Sequence, residues 1–304
     1  MVRTVKLNDG TSMPALGWGN MGGKEKAHSA GAIALREGIH HIDSAQIYGT
    51  EEEVGSAIKD TGLDRKDVYV TTKIFYFEKN DITVGDIRSS VQGSLDKLGF
   101  IPNLLLIHNP YIPTRAGLSL SQFWQHLEAM VEDGTLKGCS LGVSNFRPAD
   151  IEEIVKVAKI KPVVNQIEYH PYVLAHLDPL MEAHAKHSIV TQAFASLAPI
   201  HRHPTGGPVK PILTDLARKL SSETGAEVDE AMVLILWTLS KGVVCITSSG
   251  DEGRIHKMAS TEKVRDLDEE EIKAIDETGR KIHFRHWTEH MENDYPNPDL
   301  PSDL

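Results

Sequence analysis

The sequence predicts an α/β fold, a (β/α)8 TIM barrel, and three observations support it. Eight short apolar runs of strand type recur along the 304 residues. Between them lie stretches whose apolar residues recur every three or four positions, as on one face of a helix. The alternation runs almost to the end of the chain, without a second region of different composition. Eight such units in about 300 residues favour a closed barrel over an open sheet, and we expect one domain over residues 1–304.

A β-hairpin is predicted ahead of the barrel. Residues 4–16 hold two alternating segments on either side of Asn8-Asp9-Gly10, which is a signal for a two-residue hairpin turn. The eight barrel strands follow in order. They are predicted at residues 15–17, 40–43, 68–73, 104–108, 140–144, 162–168, 189–194 and 243–247.

Apolar residues spaced three and four apart predict the helices that follow several of these strands. Pro148 suits the first turn of one of them, where its missing N–H is not needed. An apolar helix at residues 231–239 precedes the last strand. The helical faces are formed by Val54, Ala57 and Ile58, by Val84, Ile87, Val91, Leu95 and Leu98, by Phe123, Leu127, Met130 and Val131, and by Ile151, Ile154, Val155 and Ala158.

Charge and cysteine content narrow the range of partners. A formal net charge of −11 argues against nucleic acid, because binding a phosphate backbone needs a surplus of Lys and Arg. Only Cys139 and Cys245 are present, so there is no disulfide framework or CxxC motif, and we expect a reducing, cytoplasmic location. The N-terminus lacks the apolar core of a signal peptide, and no uncharged apolar window of about 18 residues predicts a membrane span. We expect a monomer or weak dimer that acts on a small molecule.

Four residues stand at or just past the ends of predicted strands: Asp43, Tyr48, Lys73 and His108. In a (β/α)8 barrel the carboxyl ends of the strands share one face, and active sites are built there. The four side chains are a carboxylate, a phenol, an ammonium and an imidazole. Alone, each has an ordinary explanation, such as a helix N-cap for Asp43 or a solvated end for Lys73. Together they indicate a site that protonates a carbonyl oxygen.

Reduction of a carbonyl requires a hydride for the carbon and a proton for the oxygen. Tyr48 is the candidate acid, and we expect the ammonium of Lys73 to lower its pKa toward neutral pH. Asp43 is expected to offset the cost of burying that ammonium. His108 can hydrogen-bond the substrate oxygen and orient the carbonyl, and a share in proton transfer is left open.

A glycine-rich motif offers a different interpretation. Residues 17–22 match GxGxxG, follow an apolar run and precede a helix, and Asp43 lies where the ribose-binding acid of a Rossmann domain is expected. Such a dehydrogenase would use Gly19 and Asp43 to bind the dinucleotide. Three features weigh against it: Asp43 lies inside HIDSAQIYG, no substrate domain follows, and Trp18 and Met21 are bulky for a loop that contacts a pyrophosphate.

Five motifs follow one another along the chain: residues 41–49 (HIDSAQIYG), 72–73 (TK), 106–108 (LIH), 142–146 (GVSNF) and 165–171 (NQIEYHP). In this order they resemble the aldo-keto reductase superfamily over nearly the whole chain. The chain looks most similar to fungal reductases of α-keto carbonyls, namely conjugated polyketone, ketopantoyl lactone and α-keto amide reductases. The Thr247-Ser248-Ser249 stretch supports this placement. The resemblance implies an NAD(P)H-dependent oxidoreductase in which the four strand-end residues have the roles given above.

The same resemblance implies a set of cofactor contacts. Ser144, Asn145 and Gln166 match the positions that hydrogen-bond the nicotinamide carboxamide. Phe194 matches the aromatic residue on which the nicotinamide ring stacks. Ser196 and Leu197 lie in the loop that usually covers the pyrophosphate. Gly19, Asn20, Thr247 and Ser249 are further expected contacts.

The end of the expected cofactor site that would bind the 2′-phosphate and adenine matches the family pattern less closely. Arg254 matches the arginine at the adenosine 2′-phosphate, for which a guanidinium is suited. Ser248, also an expected contact, stands where many relatives carry Lys, and Lys257 and Met258 stand where Glu and Asn often hold the adenine. NADPH is therefore the expected cofactor, with NADH as the alternative.

The substrate pocket departs from the family pattern. Met21 replaces the active-site Trp after the first strand, and Asn109 follows the histidine where aldose reductases carry Trp. Met is deformable and Asn can donate to a second carbonyl, so a compact dicarbonyl or α-keto ester fits better than a flat polyaromatic. Packing beneath loops is the alternative for Trp18 and Phe75. The candidates for the wall are Trp18, Phe75, Tyr111 and Trp287. The tail over residues 284–304 resembles the family's C-terminal loop that closes over substrate, and a disordered end is the alternative.

The sequence thus predicts NADPH-dependent reduction of aldehydes and ketones to alcohols, with small α-keto esters, α-keto lactones or diketones as substrates. A sugar aldehyde reductase of aldose or xylose type is one alternative. A redox-sensing module with little turnover, like the potassium-channel β subunits that resemble this superfamily, is another. No metal is expected: His283, His286 and His290 have helical spacing and His201 and His203 share a loop, but no carboxylate or thiol clearly completes a ligand shell.

Overall fold

The computed structural model describes residues 3–75 and 83–287. Its strands are β1 (Thr4–Lys6), β2 (Ser12–Pro14), β3 (Leu16–Gly19), β4 (His41–Asp43), β5 (Tyr69–Ile74), β6 (Leu104–Ile107), β7 (Ser140–Ser144), β8 (Val164–Glu168), β9 (Val190–Phe194) and β10 (Val244–Thr247). Its helices are α1 (Lys24–Arg36), α2 (Glu51–Thr61), α3 (Val84–Leu98), α4 (Tyr111–Arg115), α5 (Leu120–Glu132), α6 (Pro148–Val155), α7 (Asp178–His187), α8 (Ala198–His201), α9 (Lys210–Thr224), α10 (Glu230–Ser240), α11 (Glu252–Ser260) and α12 (Glu269–Gly279).

Strands β3 to β10 form a closed parallel barrel in sequence order, and β10 pairs with β3. The predicted (β/α)8 barrel is therefore confirmed. The first strand runs Leu16–Gly19, slightly later than the predicted residues 15–17. Helices lie between successive strands and cover the outside of the barrel, as expected for parallel strands joined by crossovers.

A closed barrel excludes the open sheet of a Rossmann domain, and the packing around Gly17 shows why the GxGxxG match is misleading. Gly17 lies inside β3, where a Cβ atom would come within 2.5 Å of Ile246 Cδ1 and 3.0 Å of the His41 ring. Gly19 is the register partner of Asp43 on the neighbouring strand. The absence of a side chain at Gly17 thus serves packing inside the barrel.

The N-terminal hairpin is confirmed, but its turn is longer than predicted. Strands β1 and β2 pair antiparallel, and the Leu7 N–H donates to the Thr11 carbonyl over 2.9 Å. Three residues therefore form the turn, which ends at Gly10 with φ +89°. The hairpin lies across the amino-terminal end of the barrel, where Asp9 accepts a 2.6 Å hydrogen bond from Ser140 at the start of β7.

Local sequence explains where several helices begin. Thr83 and Asp86 cap each other reciprocally at the start of α3, and Ser119 and Gln122 do the same at α5. Helix α10 confirms the predicted apolar helix, and its side chains from Met232 to Leu239 are buried against neighbouring elements. Within the described part of the chain, no helix is long and apolar enough to cross a membrane.

Candidate active site

A cleft of about 1200 Å³ opens at the carboxyl ends of the barrel strands. The barrel fold brings distant parts of the sequence to this one face. Three residues of the predicted site, Lys73, Asn20 and Trp18, do not line the cleft. The other predicted site residues do: Gly19, Met21, Asp43, Tyr48, Phe75, His108, Asn109, Tyr111, Ser144, Asn145, Gln166, Phe194, Ser196, Leu197, Thr247, Ser248, Ser249, Arg254 and Trp287.

Lys73 and Asp43 form a buried ion pair below the cleft. Lys73 on β5 has no exposed surface, and its Nζ contacts Asp43 Oδ1 and donates to the Ser44 carbonyl over 3.0 Å. Burial lowers the pKa of Lys73, but the charges of Asp43 and Tyr48 and the hydrogen bonds to both residues together outweigh burial and raise the pKa above its ordinary value. Lys73 is therefore a charged ammonium in the interior of the protein.

The phenol of Tyr48 lies between this ion pair and the cleft. Tyr48 ends a short 3-10 turn, Gln46–Tyr48, and its hydroxyl oxygen is 3.4 Å from Lys73 Nζ. Burial raises the pKa of Tyr48, Lys73 lowers it and Asp43 raises it again, so the pKa lies above its ordinary value. The expectation of a lowered pKa was wrong, because burial and Asp43 together outweigh the ammonium. At neutral pH Tyr48 is thus a protonated phenol that can donate a proton.

Gln46 holds the turn that carries Tyr48, and the sequence analysis did not identify it. Its amide nitrogen donates to Ser90 Oγ over 2.9 Å and to Ser94 Oγ over 3.0 Å, both on α3. Its amide oxygen accepts from the backbone N–H of Phe75 over 3.0 Å. One side chain therefore fixes both the Tyr48 turn and the backbone at Phe75, which forms a wall of the cleft.

His108 faces Tyr48 across the cleft. The two rings meet edge to face with centroids 5.9 Å apart, and the Phe75 ring lies 5.1 Å from His108. The backbone at His108 is held on both sides, because its N–H donates to Ile74 and its carbonyl accepts from Asn145 Nδ2, each over 3.1 Å. A phenol and an imidazole thus reach the same space beside the buried ammonium.

Three predicted nicotinamide contacts form one amide network with Asp43. Gln166 Nε2 donates to Asp43 Oδ2 over 2.7 Å and to Gln192 Oε1 over 2.8 Å. Asn145 Nδ2 donates to Ser144 Oγ over 3.1 Å, and Ser144 Oγ donates to the Gln166 carbonyl over 2.9 Å. The network includes Gln192, a fully buried residue that the sequence analysis did not identify.

The network leaves acceptors for a carboxamide. In the described part of the chain, Asn145 Oδ1 and Gln166 Oε1 accept no hydrogen bond, and both residues line the cleft. A primary carboxamide presents two N–H donors, so the residues present fit a nicotinamide carboxamide. Asn145 and Ala195 also have positive φ angles of 60° and 55°, a strained backbone that is common at ligand sites.

The far end of the cleft carries several cationic side chains. Arg254, in the first turn of α11, donates from Nε to Ser249 Oγ over 3.0 Å and is exposed to the cleft. Burial, followed by the positive charges of Arg254 and Arg202, lowers the pKa of His201. His201 and Arg202 line the same end, and the sequence analysis had considered this loop only as a metal site. This end of the cleft therefore suits an anionic group.

Other side chains at this end already have partners. Lys257 binds Glu227 over 2.6 Å and Asp229 over 3.3 Å, and Ser248 Oγ donates to the Gly19 carbonyl over 2.8 Å. The backbone N–H of Arg254 donates to Asp251 Oδ1 over 2.9 Å, but its guanidinium has no carboxylate partner among the described residues. Arg254 is accordingly better placed than Lys257 to meet an anion.

Two predicted site residues lie elsewhere. Asn20 is 1% exposed, and its side chain donates to the Thr50 carbonyl over 3.3 Å, so it joins the β3 loop to α2 instead of facing the cleft. Trp18 is buried beneath the strand ends, where its ring nitrogen donates to the Ser249 carbonyl over 3.0 Å. Its predicted place in the pocket wall was wrong, whereas Phe75 does line the cleft.

Of the histidines considered for a metal, His201 lines the cleft and His283 does not. His283 is buried, and its ring meets that of His176 edge to face at 4.6 Å. His290, like all of residues 288–304 of the expected C-terminal loop, lies outside the described residues. Within residues 3–75 and 83–287, no three His, Cys, Asp or Glu side chains are placed to hold a metal ion.

Comparison with known proteins identifies the family. The Aldo/keto reductase family matches residues 6–280. An NAD/NADP-dependent indole-3-acetaldehyde reductase of Schizosaccharomyces pombe is 33% identical, over 85% of this chain and 86% of its own length. An NADPH-dependent alpha-keto amide reductase of Saccharomyces cerevisiae is 31% identical, over 80% of this chain and 75% of its own.

Solved structures support the same family assignment. An aldo-keto reductase of Bombyx mori in complex with NADP superposes with a TM-score of 0.81 at 27% identity, and covers 98% of this chain and 99% of its own. The chain belongs to the aldo/keto reductase family of oxidoreductases that act on carbonyl groups.

Proposed function

We propose that this protein reduces small aldehydes and ketones to alcohols with NADPH, and that Tyr48 donates the proton. The observation that carries the proposal is the position of the Tyr48 hydroxyl, 3.4 Å from the buried ammonium of Lys73 and in the cleft with His108. A carbonyl oxygen that becomes an alkoxide needs a nearby acid, and a phenol that keeps its proton at neutral pH meets that need.

Each of the four residues contributes a separate part of the chemistry. A bound nicotinamide cofactor supplies the hydride. Tyr48 donates its proton to the substrate oxygen, and the charge of Lys73 stabilises the phenolate that remains. Asp43 keeps Lys73 charged despite its burial. His108 hydrogen-bonds the substrate oxygen and aims the carbonyl at Tyr48.

The preference for NADPH rests on Arg254. Its guanidinium is exposed at the cationic end of the cleft, and a phosphate dianion accepts paired hydrogen bonds from such a group. Arg202 and His201 add cationic or donor groups at the same end. The similarity to an NADPH-dependent reductase of yeast supports the same assignment.

The proposed substrates are small α-keto esters, α-keto lactones and diketones. Asn109 Oδ1 accepts the Tyr111 N–H over 3.0 Å, which leaves its amide nitrogen to donate to a second carbonyl. Met21 is 54% exposed at the rim and can adapt to substrates of different shape. The similarity to the alpha-keto amide reductase supports this class over sugar aldehydes. The two buried, unbridged cysteines fit the proposed cytoplasmic location.

A panel of carbonyl compounds tests the proposal. Aldehydes, xylose, α-keto esters and cyclic diketones are assayed with NADPH and with NADH, on the wild type and on Tyr48→Phe. We expect turnover with NADPH that is fastest on α-keto esters and diketones and is lost in Tyr48→Phe. Tight NADPH binding with negligible turnover across the panel would instead support a redox-sensing module, and a preference for xylose would support a sugar reductase.

A further inference from the structure

A second buried carboxylate lies next to the cleft without lining it. Glu168 is the last residue of β8, its side chain has no exposed surface, and it accepts a 3.1 Å hydrogen bond from His170 Nε2. The Nη1 atom of Arg285 lies 3.7 Å from Glu168 Oε2, and the Arg285 side chain is also buried. Burying a carboxylate is costly unless its oxygens are bonded and its charge is balanced. The proposed reaction does not use this group, so its burial needs another explanation.

Its remaining partners are backbone N–H groups of the chain after α12. We call residues 283–287 the strap. The Phe284 N–H donates to the Tyr172 carbonyl over 3.1 Å, which fixes the start of the strap. The His286 N–H donates to Glu168 Oε1 over 2.8 Å, and the Trp287 N–H donates to Glu168 Oε2 over 3.0 Å.

One carboxylate therefore binds two successive peptide groups, and this fixes the direction of the chain. Charge-assisted hydrogen bonds of this kind are stronger than those between neutral groups, and two of them set both the distance and the orientation of the strap. Trp287 is the residue at which the second bond is made, and its side chain lines the cleft that holds Tyr48 and His108. The position of the indole in the pocket wall thus depends on Glu168.

We propose that Glu168 is a positioning residue for substrate specificity, which acts by holding Trp287 as the wall of the substrate pocket. The proposal rests on the proposed carbonyl reductase activity for its kinetic consequences. Glu168 selects among substrates by the size of the group next to the reacting carbonyl, and it leaves the proton donor and the cofactor contacts unchanged.

The chain offers a matched control. Glu128 on α5 is also buried, at 3% exposed, and its Oε1 accepts two successive backbone N–H groups, those of Lys159 and Ile160, each over 2.7 Å. These residues precede β8, at the opposite end of that strand from the cleft. Glu128→Gln therefore perturbs the same kind of interaction without contact to the pocket.

The kinetic test compares ethyl pyruvate with ethyl benzoylformate, two α-keto esters that differ in having a methyl or a phenyl group beside the ketone. Glu168→Gln turns one acceptor oxygen into a donor that faces an N–H, and Glu168→Asp keeps the charge but shortens the side chain. In both variants we expect KM for ethyl benzoylformate to rise about tenfold, which is typical for a lost apolar wall. We expect kcat on ethyl pyruvate and the Kd of NADPH to stay as in the wild type. In the control Glu128→Gln, we expect the KM ratio, which is KM for ethyl benzoylformate divided by KM for ethyl pyruvate, to stay unchanged.

A double-mutant cycle shows whether Glu168 acts through the indole. In a Trp287→Ala background, we expect Glu168→Gln to have no further effect on KM for ethyl benzoylformate. Acrylamide quenching gives a reading that needs no turnover: the difference in emission between the wild type and Trp287→Phe isolates Trp287, and we expect its quenching to increase in Glu168→Gln and Glu168→Asp.

An unchanged KM ratio together with unchanged quenching would overturn the proposal, as would an equal KM effect with and without Trp287. If the wild type turns over neither ester, the proposed function fails, and the quenching experiment still decides whether Glu168 positions Trp287.

Discussion

The proposed catalytic centre and the rim of the cleft are built in opposite ways. Asp43 and Lys73 lie on neighbouring strands, are almost fully buried and bind each other. Met21 and Ile47 at the rim are 54% and 52% exposed and lie in segments that follow strand ends. The ion pair of the centre is therefore fixed by the same packing that stabilises the barrel, and the Tyr48 turn is held by the bonds of Gln46 to α3, whereas the rim side chains project into solvent.

This difference explains why the reaction is better determined than the substrate. A strand residue can change little without disturbing register and core packing, so its chemistry is tied to the fold. An exposed loop residue can change with little cost in stability. If this comparison is right, variants in the centre affect all substrates or the stability of the protein, and variants at the rim affect the choice among substrates.

The largest expected effect is that of Tyr48→Phe. This variant removes the proposed proton donor and keeps the ring that packs against His108, so we expect kcat to fall about 1000-fold. NADPH binding, followed by quenching of protein fluorescence, should keep its wild-type Kd. A Tyr48→Phe enzyme with near-wild-type kcat would show that another group donates the proton.

The next effect is on stability. Lys73→Met leaves Asp43 buried without its charge partner, so we expect the free energy of unfolding to fall by about 3–5 kcal/mol, as measured by urea denaturation. Adding Asp43→Asn should recover part of this loss, because the unpaired charge is then removed. Lys159→Met is the control: its partner Glu132 is exposed, and we expect no measurable change. Additive losses in the double variant would contradict a coupled pair.

A smaller and more selective effect is expected at the phosphate end. Arg254→Met removes the guanidinium that lacks a carboxylate partner, so we expect KM for NADPH to rise about tenfold. KM for NADH should not change, because NADH lacks the 2′-phosphate. Lys257→Met serves as the comparison, since Lys257 is already bound to Glu227 and Asp229. An equal rise in KM for NADPH and for NADH in Arg254→Met would indicate that Arg254 has a structural role.

The pH dependence of reduction tests the electrostatics of the centre. The pKa of Tyr48 lies above its ordinary value of 10.0, so the phenol keeps its proton through neutral and mildly alkaline solution. We expect kcat/KM to decline only as the pH rises above 10.0, where the donor begins to lose its proton. A decline centred near pH 8 would mean that Lys73 lowers the pKa of Tyr48 more than burial raises it.

The smallest effect is expected at the rim. Met21→Trp fills part of the mouth of the cleft with a larger and stiffer side chain. We expect kcat/KM to change by about three- to tenfold, downward for bulky α-keto esters and little for compact ones. Thermal unfolding should match the wild type, because Met21 is largely exposed. A uniform loss on all substrates would place Met21 in the catalytic centre and remove the distinction drawn above.

Local patterns in the amino-acid sequence predicted much of the fold. Short apolar runs and helical spacing predicted all eight barrel strands, because each unit must bury one face against its neighbours. The turn after β1 was predicted too short, since Asn8-Asp9-Gly10 suits two- and three-residue turns alike, and pairing of Leu7 with Thr11 decides between them. Such a choice depends on hydrogen bonds that the residue types do not specify.

Residue types at strand ends and the family resemblance predicted most residues of the candidate site, but they did not predict which distant residues contact one another. The contact of Gln166 with Asp43 joins residues 123 positions apart, and that of Glu168 with the strap joins residues 118 apart. No local pattern contains these pairs. The sign of the Tyr48 pKa shift was missed for a related reason, because it depends on how deeply the phenol is buried.

The central claim is that the buried centre sets the reaction and the rim sets the substrate. The most direct test measures kcat/KM of Tyr48→Phe and of Met21→Trp on one panel of aldehydes, α-keto esters and diketones. We predict that Tyr48→Phe lowers every value by the same factor, so that the order of substrates is kept, and that Met21→Trp changes the order. A Tyr48→Phe enzyme that reorders the panel, or retains turnover on part of it, would contradict the claim.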